Sequence, residues 1–177
     1  LVQALIGART SFDLRRAIQE IAVPQLPIAA SPESQEACLQ FIIDRLRNLL
    51  LDQGRRYDVV DAVLAAQGEN PAHAAQAVEA LARWIERPDW NTILPAYSRC
   101  VRITRDLSER HAVTPAAFVE PVEHALMAAL TAAESAPRQP GSVDDLLNAF
   151  LPMIPMINRF FESVLVMAEE PAVRANR

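Results

Sequence analysis

The sequence predicts an all-α protein, a helical bundle of roughly six to eight helices, and three observations carry that reading. Apolar residues recur at spacings of three and four almost throughout, and no stretch alternates with period two for long. Only 4 glycines stand against 13 prolines, whereas sandwiches and barrels consume glycine in tight turns. Alanine is abundant and aromatics make up 6%, a composition poor in strand formers. With 177 residues, 51% of them apolar and 22% charged, the chain suits about one domain, or one with an appendage, around a sizeable core.

The elements follow in order. After an entering segment to Arg9, Ser11 is placed to cap a helix through about Val23, with Asp13 favourable in its first turn and Pro24 and Pro27 closing it. Ser31-Pro32-Glu33 is a cap followed by proline at the first helical position. From it an apolar stripe of Leu39, Ile42, Ile43, Leu46, Leu49 and Leu50 runs to about Gln53, where Gly54 stops it. A short amphipathic helix turns Val59, Val60, Val63 and Leu64 inward. Gly68-Glu69-Asn70-Pro71 repeats the stop-then-cap grammar, launches a helix from Ala72 to Arg87, and divides the chain into 1–67 and 68–177. Asp89 is the expected cap of a helix to about His111 and Thr114-Pro115 of one to about Ser135, with residues 136–141 as the loop after it. Leu146, Leu147, Phe150, Leu151, Ile154, Ile157, Phe160, Phe161 and Leu165 keep helical spacing, but Pro152 and Pro155 should kink or break that helix. Trp84, Trp90, Tyr97, Met153, Met156 and Met167 read as core.

Composition narrows the chemistry. All 17 basic residues are Arg, 22 acids bring the net charge to -5, and neither 1–67 nor 68–177 is basic overall, so RNA contact must rest on a local patch. The four glycines stand apart, leaving no loop to cradle a nucleotide phosphate. Cys38 and Cys100, 62 positions apart, suit reduced thiols in a cytosol, and neither sits in a Cys-x-x-Cys pair. Glu120, Glu123 and His124 come nearest to a metal site, but Pro121 occupies the position three before His124 where a Glu-x-x-His ligand pair needs a carboxylate, so no metal and no catalytic residue is expected. Arg99, Arg102 and Arg105 are spaced by three along one helix, with Arg110 beyond. Guanidinium forks at that spacing suit an RNA backbone or splayed base, and equally suit a solvated or ion-paired face, the plainer reading of charge spacing alone. No membrane span is expected, and the start Leu1-Val2-Gln3, in mid-pattern and without Met, leads to the expectation of a piece cut from a longer chain.

The segment from Ile157 to Glu170, with Asn158-Arg159-Phe160-Phe161-Glu162, Val164, Val166-Met167 and Glu169-Glu170, followed by Val173-Arg174-Ala175-Asn176-Arg177, resembles the end of the bacterial glycyl-tRNA synthetase beta subunit. Phe12-Asp13-Leu14, Asp52-Gln53-Gly54, Tyr57 to Ala65, Arg99 with Ile103, and Glu120 with Glu123 and Leu126 resemble it in the same order. Asn158 and Glu162 stand where the family has Asp, and Ser98 and Arg102 replace the Lys and Asn of its Lys-Arg-Val-x-Asn-Ile segment.

The resemblance implies helices over 1–67 continuing from upstream domains, then a DALR-type all-α anticodon-binding domain over 68–177 whose final helix lies past Arg177. It implies a tRNA-binding part of a cytoplasmic glycine–tRNA ligase that recognises the anticodon of tRNA-Gly; the spacing of Arg99, Arg102 and Arg105, not the resemblance, makes them the expected contacts. The alpha subunit or alpha half is the implied partner, with no role for DNA. ATP and Mg then serve the parent enzyme and no cofactor is held here. A structural, subunit-holding module without RNA contact, favoured by the acidic total, is the rival reading, and a stand-alone helical regulator is a third.

Overall fold

The computed structural model describes residues 1–107, 109 and 111–177, and among these the regular structure is all helical. Two compact units emerge: Leu1–Glu86 with Gln139–Val143, and Arg87–Arg138 with Asp144–Arg177. The α-helical segments outnumber those expected, because short pieces form at both ends: α1 (Val2–Ala8), α2 (Leu14–Ala17) and α10 (Pro171–Asn176).

In the first unit, Asp13 rather than Ser11 caps α2, its carboxylate accepting from the Arg16 amide at 2.9 Å. Ser11 instead accepts from the side-chain amide of Asn70. The chain then widens into a π turn over Ile18–Ala22 and tightens into a 3₁₀ turn over Val23–Gln25, where Pro24 brings no backbone donor. Helix α3 (Pro32–Asp52) starts at the expected Ser31, whose hydroxyl accepts from the Ser34 amide. It ends at Gly54, which takes φ +79° so that the amide of Arg55 can satisfy the carbonyl of Leu50. Helices α4 (Tyr57–Gln67) and α5 (Pro71–Ile85) form a tight pair, with Asn70 capping α5 through the His73 amide.

Leu46 and Leu50 of α3, Val59, Val60 and Val63 of α4, and Ala74, Ala77 and Val78 of α5 bury each other almost completely. Each fully buried Leu or Val side chain contributes about 1.5–3 kcal/mol. Small alanines on α5 let the helices close up, and Gly68, at the C-cap of α4, lets that helix end lie close to α3: a Cβ there would meet the Ile43 Cγ2 methyl at 3.2 Å. The junction placed at Gly68 from the sequence therefore lies inside this unit, and packing divides the chain between Glu86 and Arg87.

In the second unit, α6 (Trp90–Thr104) packs on α9 (Ile154–Ser163), which packs on α7 (Pro121–Ser135). Three departures from the sequence reading have local causes. Helix α6 stops at Thr104 rather than His111; the Thr104 hydroxyl bonds back to the carbonyls of Cys100 and Val101, and its own carbonyl accepts from Leu107. Asp89 does not cap α6 with its side chain, because its carboxylate takes Arg87 in two bonds of 2.8 and 2.9 Å. Thr114-Pro115 starts only a 3₁₀ turn over Pro115–Ala117; Phe118 to Glu120 then run extended and α7 begins at Pro121.

The prolines near the end do break the helix. A 3₁₀ turn over Leu151–Met153 separates α8 (Val143–Phe150) from α9. Past Ser163 the chain leaves the helix, and its burial alternates: Val164 is buried, Leu165 exposed, Val166 half-buried, Met167 exposed. Met167 is therefore not core: the helical spacing that would turn it inward does not hold in a segment that has left the helix.

Candidate nucleic-acid interface

Helix α6 and its C-cap carry the three arginines singled out by spacing, and the fold gives each a different setting. Arg99 is half-buried, with its guanidinium carbon 4.4 Å above the ring of Phe161 on α9. That is a cation–π contact which fixes one end of the row against the unit's own core. Arg102 is exposed and folds back so that Nε donates to the Ser98 carbonyl at 3.3 Å. Arg105, just past the helix, is 69% exposed and meets Asp106 only at 3.7 Å, with Asp106 itself 89% exposed. Arg110 lies outside the described residues.

These three therefore do not form one uniform stripe. At 100° per residue, positions 99, 102 and 105 sweep 120° around the helix. Arg99 faces α9, while Arg102 and Arg105 hold their charge toward solvent. Exposed pairs such as Arg105 with Asp106 hold little energy, so those two head groups stay available to an anion.

The aromatic residues divide as well. Trp84 is buried at 5% exposure and Trp90 is half-buried, but Tyr97 is 55% exposed, against the expectation that all three are core. Its ring meets Phe150 edge-on, with centroids 6.0 Å apart and planes at 80°. Leu94 and Val101, one turn to either side on α6, are also exposed.

The acids near α7 serve structure. Glu120 and Glu123 form a reciprocal capping box. One Glu123 oxygen accepts from the amides of Val119 and Glu120, and the other from Nε of Arg177 at 2.9 Å. Arg177 also donates to the Leu165 carbonyl, while Asn176 exchanges two bonds with the backbone of Thr114. Burial pushes the Glu123 carboxyl up, but the two amides and the guanidinium outweigh it and hold it below its ordinary value. The side chains of this pair are only 4% and 9% exposed. His124 meanwhile packs edge-on against Phe118 at 4.9 Å.

The sequence reading, which starts this helix at Thr114-Pro115, misses that cap. Its closure by an arginine 54 residues away depends on packing and is not visible in local sequence either. Among the described residues no group of three His, Cys, Asp or Glu is arranged to hold a metal ion. Burial raises the Cys100 thiol above its ordinary value, which opposes a thiolate nucleophile there. No helix of the described residues is long and apolar enough to cross a membrane.

No family model matches the chain. Individual relatives do. It is 31% identical to the chloroplastic/mitochondrial glycine–tRNA ligase 2 of Arabidopsis thaliana over 179 aligned residues, covering 100% of this chain and 17% of that protein. It is 36% identical to the glycine–tRNA ligase beta subunit of Anaeromyxobacter dehalogenans, covering 80% of this chain and 21% of the relative. The corresponding figures for the beta subunit of Moorella thermoacetica are 34%, 81% and 21%. These matches first set the class: a helical module related to tRNA ligases. The chain belongs to the glycine–tRNA ligase beta-subunit family and spans about a fifth of the length of these curated relatives.

Proposed function

We propose that this chain is a tRNA-binding, anticodon-recognising part of a glycine–tRNA ligase beta subunit, and that Arg99, Arg102 and Arg105 contribute its RNA contact. The observation that carries the reading is the exposure of Arg102 on α6 and Arg105 at its C-cap, beside an aromatic face, in a relative of tRNA ligases. Arg102 and Arg105 supply phosphate-binding forks, and Arg99 adds charge from its seat on Phe161. On this reading the module itself reacts with nothing. Binding energy gained here orients the acceptor end of tRNA-Gly in a distant active site, where the alpha subunit or alpha half uses ATP and Mg to activate glycine in the cytoplasm.

The test is the salt dependence of tRNA-Gly affinity for the chain and for variants in which Arg99, Arg102 and Arg105 are replaced by Ala. Every phosphate deprived of its arginine flattens the slope of log K against log salt by about 0.7–0.9. A slope lowered by about two, with the weakest effect from Arg99, is expected. Unchanged affinity and slope would remove these residues from any RNA interface. The negative net charge of -5 favours the rival, a module that holds subunits together. That reading predicts binding to the alpha subunit and indifference to tRNA.

A further inference from the structure

Tyr97 has an unusual setting in the second unit. An aromatic ring on a helix ordinarily seeks the core, yet this one is 55% exposed while Ile93 and Ala96 on the same helix are 1% exposed. Its neighbours on that side are Leu94 at 46% and Val101 at 41%, at helical spacings of three and four, so the three make one apolar ridge. Four residues past Val101 the same ridge reaches Arg105, and Arg102 stands beside it. The ring is also held: its contact with Phe150 at 80° restricts how it can turn. An ordered aromatic face, flanked by apolar side chains and ending in two exposed guanidiniums, combines what an unpaired nucleotide needs, a surface for its base and forks for its phosphates.

We propose that Tyr97 is a stacking platform for an unpaired base of a bound RNA, with Leu94 and Val101 flanking the base and Arg102 and Arg105 taking the adjacent phosphates. The charge of those two arginines selects a polyanion over an apolar protein surface, and a ring presented in the open selects splayed bases over a duplex, whose bases stack on each other. The inference rests on the RNA-binding reading above and adds to it a preference for unpaired nucleotides.

The experiment compares the 177-residue chain with Tyr97→Ala, Tyr97→Phe and Tyr97→Trp variants and with the Arg102→Ala/Arg105→Ala double variant. The probes are a glycine tRNA transcript, a blunt, fully paired RNA duplex and the alpha subunit of a glycine–tRNA ligase, each measured by fluorescence anisotropy, with thermal melts confirming that every variant folds. Tyr97→Ala should weaken tRNA binding about tenfold or more without changing its salt slope, and should leave duplex binding alone. Tyr97→Phe and Tyr97→Trp should retain tRNA binding. The double variant should lower the slope for both probes.

If Tyr97→Ala binds tRNA as the parent chain does while the double variant weakens, the stacking role is refuted and the RNA-binding reading stands. If neither weakens, both fall. Equal losses for Tyr97→Phe and Tyr97→Ala would assign the effect to the hydroxyl and overturn stacking. A Tyr97→Ala variant that keeps tRNA but loses the alpha subunit would make the ridge a protein-docking face, which also overturns it.

Discussion

The two units place arginine differently, although the second also has an exposed pair of its own, Arg87 with Asp89. In the first unit Arg15, Arg16, Arg47, Arg55 and Arg56 all engage carboxylates around a central cluster of Leu, Val and Ala. Arg15 alone ties α2 to Glu36 on α3 and to Glu69 before α5, and those two carboxylates raise its pKa. In the second unit the best-protected charge pair, Glu123 with Arg177, is buried, and Arg102 on α6 and Arg105 at its C-cap are left facing solvent. Counting arginines therefore says little about function. What matters is whether the fold brings a carboxylate within reach.

That contrast is open to experiment. The largest effect is expected from Arg177→Ala or Glu123→Ala, which leaves a buried charge without its partner and should cost about 3–5 kcal/mol in urea denaturation. Arg47→Ala, which opens the exposed Arg47–Asp61 pair on the first unit, should change stability far less; equal losses would erase the distinction between rim and interior. Next comes Leu46→Ala in the first unit. Leu46 is fully buried, so truncation leaves a cavity and should cost about 2–5 kcal/mol. A cost near zero would mean that the α3, α4 and α5 seam is not the source of that unit's stability.

The smallest effect concerns acid. Glu123, Glu36, Asp58 and Asp61 are all held below their ordinary carboxylate values, Glu123 against its burial and the others chiefly by hydrogen bonds from arginine. A depressed folded value stabilises the protein above the unfolded carboxylate pKa of about 4, and the gain is lost as pH falls through the folded values. Stability should thus be flat above about pH 5 and decline below about pH 4. Glu123→Gln should flatten part of that decline. An unaltered profile would show that Glu123 does not titrate with folding.

Much of the site could be read from the chain alone, and its failures are instructive. The row at Arg99, Arg102 and Arg105 was visible as spacing, because position around a helix follows from residue number. The withdrawal of Arg99 onto Phe161 was not, because it depends on α9 lying against α6. Helical spacing and residue type put Tyr97 in the core, and only the arrangement of α6, α8 and α9 leaves it in the open.

Local chemistry sets the helical class, the cap at Ser31-Pro32, the stop at Gly54, the start at Asn70-Pro71 and the break near Pro152, and all of these can be read from the chain. They follow from backbone geometry and hydrogen bonding among residues a few positions apart, which act before any packing occurs. Packing settles where the units divide, which arginines meet carboxylates, and that Arg177 seals the cap of α7. Those outcomes turn on distances between groups far apart in the chain, and such distances exist only once the helices have packed.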